Sequence, residues 1–170
     1  MSRKVVISLI LVVFWMIFIF FMSSMDANNS NNKSTNVAVG IISTVDKVAK
    51  PSSEIIKKHQ EKSYIERINI LIRKSSHALE YLILGILVLN VFYQLKKYHL
   101  LYAFYTVLFN FLYAITDEYH QTFVNGRTGQ FIDVIIDTIG SLLGCIIFFF
   151  IYKIIMKIKK KRGIQIKSFL

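Results

Sequence analysis

The chain has 170 residues, of which 54% are apolar and only 18% are charged, whereas an average soluble domain has about 25% charged residues. Its single cysteine, Cys145, excludes a disulfide framework. The formal net charge of +11 comes from basic residues that lie beside long apolar runs. This arrangement indicates a membrane protein and gives no support for a soluble enzyme or for nucleic acid binding.

Four long apolar runs cover residues 5–22, 78–95, 100–116 and 132–152. Each is close to the length of about 20 residues that a helix needs to cross a hydrocarbon core roughly 30 Å thick. None alternates polar and apolar residues, so the runs predict helices, because backbone groups in lipid must be paired internally. The first run could alternatively be a cleaved signal peptide. Residues 23–27 make a poor cleavage site, which favours a retained helix.

Basic residues near the ends of the runs predict the orientation. They precede the first run, fill the turn between the second and third at Lys96 and Lys97, and follow the fourth. Both termini are therefore expected in the cytoplasm. The loop of residues 23–77 is an exception, because it carries nine basic residues mixed with five acids. The basic tail also suits anionic lipid of the inner leaflet.

The sequence thus predicts an all-α membrane protein with four transmembrane helices, both termini inside, and an extracytoplasmic loop helix after the first span. The expected units are a first span (1–22), a linker with an amphipathic segment (23–72), a three-span core (73–156) and a basic cytoplasmic tail (157–170). In the loop, residues 26–36 resemble a flexible linker. After Pro51, Ser53 is a suitable helix cap, and the helix that follows either lies on the outer leaflet or covers a site.

Charged residues near the predicted spans fall at one depth. Counting back from Lys96 by about 20 residues reaches His77, with Glu80 one turn deeper. Counting forward from the same turn reaches Asp117, and the fourth span begins on that side near Asp133. Because ionisable residues in membranes are expensive, this coincidence indicates a functional site at the outer surface.

Helical spacing predicts which face of the fourth span is buried. Asp133, Asp137, Gly140 and Gly144 form one stripe. Since Gly-x-x-x-Gly allows another helix to approach closely, we expect Gly140 and Gly144 to pack against a neighbour and the acidic face to turn inward. Taken singly, the polar residues also have structural interpretations, such as a pair between Arg127 and Asp133.

The candidate site residues divide by chemistry. Those suited to acid–base work are Glu80, Asp117, Asp133, Asp137, His77 and His120. Those suited to holding a ligand are Arg73, Lys74, Glu118, Gln121 and Arg127. The carboxylates outnumber the basic side chains and must be neutralised by protons, by a divalent cation or by a cationic substrate group. Ligand types suitable for a metal occur at His77, Glu80, Asp117 and His120, although no cofactor is assigned.

These residues resemble the signature of the VanZ-like membrane proteins. The matching motifs are Arg73-Lys74-x-x-His77-x-x-Glu80-Tyr81, Asp117-Glu118-x-His120-Gln121-x-Phe123-x-x-Gly126-Arg127 and Asp133-x-x-x-Asp137-x-x-Gly140-x-x-x-Gly144. Trp15 and Ser23-Ser24 echo the family's first span, but Met25 stands where the family often has Gln. The resemblance implies a bacterial cell-envelope protein of the plasma membrane. The founding member is associated with teicoplanin resistance.

Three functions compete at this point. The first is recognition of a lipid-linked cell-wall precursor, a lipid headgroup or a glycopeptide by the polar cluster. The second is hydrolysis or group transfer on a lipid-linked substrate by the same carboxylates; whether the protein is an enzyme is left open. The third, a transporter, is disfavoured because acids confined to one end make no path across the bilayer.

Overall fold

The computed structural model describes residues 2–25, 36–37, 40, 43–44, 62–95 and 100–161, with side chains described from residue 67 in the second helix and residue 101 in the third. Within these ranges the chain forms four long helices and no strand. The helices are α1 (Arg3–Ser23), α2 (Lys62–Gln94), α3 (Leu100–Gln121) and α4 (Phe131–Lys161). The all-α prediction is therefore confirmed.

Three of the described helices, α1, α2 and α4, are long and apolar enough to cross a membrane. The outward-facing surface carries many large apolar side chains, as a lipid-facing surface requires. The remaining helix, α3, has 22 residues, but its last turns carry the polar side chains of the predicted site. The fourth span and the orientation thus stay predictions.

Two helices are longer than the apolar runs that predicted them. α2 has 33 residues, and the described part of the expected loop helix, from Lys62 onward, is continuous with it. α4 has 31 residues and carries the first basic residues of the tail as helix. The linker of 26–36 (apart from residue 36), the expected cap at Ser53, the turn at Lys96 and Lys97, and the tail after Lys161 lie outside the described residues.

Glycines determine the contact between α2 and α4, the most extensive helix pair in the bundle. A Cβ added to Gly140 would meet the Ala78 carbonyl, and one added to Gly144 would meet the Leu82 carbonyl. On the facing helix, a Cβ added to Gly85 would lie 2.5 Å from the carbonyl oxygen of Ser141. Because the side chain of glycine is a single hydrogen atom, the backbones of α2 and α4 are in direct contact at these three glycines.

Interhelical hydrogen bonds join the remaining helices. The indole Nε1 of Trp15 donates to the Glu80 carbonyl at 2.9 Å, which ties α1 to α2. The Tyr113 hydroxyl of α3 donates to the Met16 carbonyl of α1 at 2.7 Å. The buried Asn110 side chain donates to the Ser141 hydroxyl of α4 at 2.6 Å. These bonds hold the helices in one register, which fixes the relative depth of their ends.

Candidate functional site

One end of the bundle collects polar side chains from all four helices. The end of α1 brings Ser23, α2 brings His77, the end of α3 brings Asp117, and the start of α4 brings Asp137. Consecutive helices of the bundle are antiparallel, so the end of one helix lies beside the start of the next. The polar side chains at these helix ends are therefore brought close together. The convergence expected from counting span lengths is thus seen in the structure.

A small pocket opens between α2, the end of α3, the α3–α4 loop and the start of α4. Its volume is about 60 Å³. Three basic side chains and three carboxylates line it, together with a histidine and a glutamine. The lining residues are Arg73, Lys74, His77, Glu118, Gln121, Gly126, Arg127, Thr128, Asp133, Ile136 and Asp137. Eight of the eleven polar residues proposed from the sequence line this pocket; Glu80, Asp117 and His120 do not.

Asp137 is the most unusual group in the pocket. Its side chain is only 1% exposed, and neither carboxylate oxygen has a hydrogen-bond partner among the described residues. A buried carboxylate without partners costs several kilocalories per mole relative to water, so it calls for a donor or a cation. The pocket beside Asp137 offers the space in which such a group would bind.

Arg127 also lines the pocket, from the loop between α3 and α4. Its Nη1 donates to Oε1 of Gln121 at 3.2 Å, while its Nε has no partner among the described residues. Burial, and after it the positive charge of Arg73, lowers the pKa of the Arg127 guanidinium. Gly126, directly before Arg127, has a positive φ of 74°, a backbone conformation that glycine adopts without strain. Arg127 thus has capacity for an acceptor.

Glu118 and Gln121 connect the helix end to this loop. Gln121 Nε2 donates to Glu118 Oε1 at 3.0 Å, and the backbone N–H of Gln130 donates to Glu118 Oε2 at 2.8 Å. Gln130 immediately precedes α4, so one carboxylate fixes the loop at both ends. The side chains that hold Arg127 in place are therefore Glu118 and Gln121.

Lys74 pairs with Asp133 across the interface of α2 and α4. The alternative pair between Arg127 and Asp133 does not form. The Arg127 guanidinium is instead hydrogen-bonded to Gln121, and the Asp133 carboxylate is paired with Lys74. Both partners of the Lys74–Asp133 pair are about one-fifth exposed, so the pair sits at the mouth of the pocket. It leaves Asp137, one turn deeper, without a cation.

Glu80, His120 and Asp117, the three proposed residues outside the pocket, contact other side chains. Oε2 of Glu80 lies 3.5 Å from Nδ1 of His77, one helical turn away. His120 stacks against Phe20 of α1, with ring centroids 4.3 Å apart. Among the described residues, no group of three or more His, Cys, Asp or Glu side chains is arranged to hold a metal ion. The metal set suggested from ligand types therefore does not assemble.

Ser23 is a site residue that the sequence interpretation left without a role. Its hydroxyl donates to Oδ2 of Asp117 at 2.7 Å, in a fully buried position. The other Asp117 oxygen has no partner among the described residues. The position of Ser23, directly after the first apolar run, could have indicated that it lies near the depth of Asp117, but not that the two side chains are in contact. Gly126 and Thr128 were missed as lining residues, and the turn signal at Asn125-Gly126 pointed to them.

We expect Ser23→Ala to destabilise the bundle by about 1–2 kcal/mol, because Oδ2 of the buried Asp117 loses its shorter hydrogen bond and keeps only the one from Nε2 of Gln121 at 3.3 Å. The matched control is Ser24→Ala, since the Ser24 hydroxyl donates to Phe20 within its own helix. The melting temperatures of the two purified full-length variants in detergent measure the effect of each substitution on stability. Equal melting temperatures for the two variants would show that the Ser23–Asp117 bond does not tie α1 to α3.

The comparisons with known proteins agree with the motif. The model of the VanZ/LLP1 family matches residues 8–153, which is most of the chain and includes the first span. No curated protein and no solved structure gives a match.

Proposed function

The chain belongs to the VanZ/LLP1 family, and on that premise we propose that its pocket binds the polar part of a cell-envelope ligand. Family membership and the apolar helices make it a VanZ-like membrane protein of the cell envelope. We further propose that it lies in the bacterial plasma membrane with the pocket at the outer surface. Binding there confers tolerance to glycopeptides such as teicoplanin, which act at that surface.

The unpartnered carboxylate of Asp137 is the observation that carries this proposal. Buried acceptor atoms in native structures nearly always have a donor, so a carboxylate with two unpartnered oxygens beside a pocket supports a role in binding. In the same pocket, Arg127 Nε is a donor without a partner among the described residues. A ligand with a donor and an acceptor would satisfy both side chains, which supports recognition of a polar group.

The test is teicoplanin susceptibility of a sensitive Gram-positive host that expresses wild type, Asp137→Asn or Thr138→Val. Asp137→Asn keeps the shape but removes the charge. Thr138→Val is the matched control, because the Thr138 hydroxyl donates to Val134 within α4 and does not line the pocket. We expect wild type and Thr138→Val to protect the host, and Asp137→Asn to lose most of the protection at equal membrane levels.

Either of two results would contradict the proposal. Full protection by Asp137→Asn would show that the pocket is not the site. No protection by any protein would show that glycopeptide tolerance is the wrong phenotype for this chain.

A second candidate function is hydrolysis or transfer on a lipid-linked substrate. The same observation favours it, because a general base is a carboxylate with free acceptor atoms beside a substrate-sized space. The two functions differ in how activity falls. A binding site predicts graded losses when Arg73, Lys74 or Arg127 is changed. An enzyme predicts that Asp137→Asn alone abolishes activity while ligand binding survives.

A further inference from the structure

An apolar groove lies beside the polar pocket, on the seam between α2 and α4. Its volume is about 280 Å³, and its walls are built from Ser75, Leu79, Leu82, Ile139, Gly140 and Leu143, with Ala78 and Ile136. Ile136 also lines the polar pocket. The two spaces therefore share a wall, and no other described helix contributes to the groove.

The groove runs from the pocket toward the middle of the helices. On α4 the pocket ends at Asp137, while the groove continues from Ile136 to Leu143. At a rise of 1.5 Å per residue this stretch is about 10 Å long, roughly a third of a hydrocarbon core about 30 Å thick. Ala78 and Gly140, where the two backbones are in contact, close the bottom of the groove. A molecule that fills both spaces must be polar at one end and apolar at the other.

The charges of the pocket restrict the polar end. The three basic and three acidic residues that line the pocket balance when His77 is neutral, and the carboxyl groups of Glu80 and Asp117 lie nearby, so the site disfavours a ligand with net negative charge. Asp137 needs donors, and Arg127 has a free donor. A group that carries both an anion and an ammonium matches both needs, since charge-assisted hydrogen bonds are the strong ones.

The size of the pocket restricts the polar end further. One water needs about 10–15 Å³ of such space, so about 60 Å³ accommodates roughly four or five heavy atoms at a time. A complete headgroup with a phosphate and an ammonium is larger than this, but its ammonium end, with one nitrogen and two carbons, fits. The primary ammonium would lie in the pocket facing Asp137, and the phosphate would follow it beside Arg127 and Arg73.

We propose that the polar pocket and the apolar groove form one site for a phospholipid whose headgroup carries a phosphate and a primary ammonium. The ammonium end of the headgroup lies in the pocket, the phosphate lies beside Arg73 and Arg127, and one hydrocarbon chain lies along the groove of α2 and α4. This inference rests on the proposed function, because it names the ligand class of the same pocket. It goes beyond that function by assigning the groove to the same ligand.

The test uses purified full-length protein in maltoside micelles, incubated with equal amounts of phosphatidylethanolamine and phosphatidylcholine that carry identical chains. Native mass spectrometry measures which lipid remains bound. The two headgroups have the same net charge, but the methylated ammonium of phosphatidylcholine has no N–H donor. We expect wild type to retain phosphatidylethanolamine about tenfold more than phosphatidylcholine, the change that one charge-assisted hydrogen bond produces. Asp137→Asn should remove this preference.

The groove is tested with two tryptophan variants of α4. Ile139→Trp fills the groove, whereas Leu142→Trp adds the same bulk to an exposed position outside it. Lipid chains are already in an apolar medium, so the groove contributes packing and not the hydrophobic effect. We therefore expect Ile139→Trp to lower the retained phosphatidylethanolamine by about fivefold and Leu142→Trp to leave it unchanged.

The outcomes separate this inference from the proposed function. Glycerophosphoethanolamine, which is the headgroup without chains, is titrated into the same protein. If it binds wild type but not Asp137→Asn, while Ile139→Trp retains the lipid as well as Leu142→Trp does, the groove assignment is overturned and the pocket stands. Equal retention of both lipids without headgroup binding overturns this inference. In that case, preserved teicoplanin protection that depends on Asp137 would leave the proposed function in place.

Discussion

Replacing Gly144 with alanine is expected to destabilise the bundle by about 2–3 kcal/mol, because overpacking a tight interface forces backbone shifts. The added Cβ would meet the carbonyl of Leu82 and would lie 3.3 Å from the backbone nitrogen of Ile86. These are backbone atoms of α2, which cannot rotate away as a side chain can. Relief would require α2 and α4 to move apart, and the pocket between them would widen.

Gly40→Ala is the matched control, since a Cβ at Gly40 meets no described atom within 4 Å. The melting temperature of the full-length protein in detergent, followed by helical circular dichroism, measures both variants. We expect a clear decrease for Gly144→Ala and no decrease for Gly40→Ala. If Gly144→Ala melts at the same temperature as wild type, α2 and α4 are not in backbone contact.

Glu118→Ala is expected to release the loop between α3 and α4. The change removes the acceptor for the Gln130 backbone and for the Gln121 side chain. Hydrogen bonds to a charged acceptor contribute about 1.5–3 kcal/mol each, so the loop should open at least tenfold more often. Since Arg127 is carried by this loop, its place on the pocket wall would be lost with it.

Hydrogen–deuterium exchange of peptides that cover residues 122–131 measures this opening. The control is Thr122→Val, because the Thr122 hydroxyl donates to Tyr119 within the helix end and not to the loop. Exchange should accelerate in Glu118→Ala and stay near the wild-type rate in Thr122→Val. Unchanged exchange in both would show that the loop is held by other contacts.

The depth of the polar residues was predictable from the sequence because the bilayer sets a common length for each span. That is why His77 and Asp137, which are far apart in the chain, were assigned to one end of the bundle. The close approach at Gly140 and Gly144 was predictable for a similar reason. Helical spacing alone puts both glycines on the face below the two acids.

Pairing within the site was not predictable, because it depends on rotations of each helix that periodicity leaves undefined. The sequence suggested Arg127 as the cation for Asp133, whereas in the structure Lys74 forms this pair. The role of Ser23 required knowing that α1 touches α3 at this end. The bounds of α2 and α4 differ from those of the predicted spans. Apolar runs mark the part of a helix that lies in lipid, whereas both helices continue into polar sequence.

Trp15 is the single tryptophan of the chain, and its indole N–H is bound to the Glu80 carbonyl one residue before the buried Tyr81. The tryptophan fluorescence of the protein therefore reports on one position, between α1 and the part of α2 that borders the site. Separation of these helices would break the indole bond and change the polarity around the ring. The molecule thus carries its own optical probe for movements of the first helix, without any attached label.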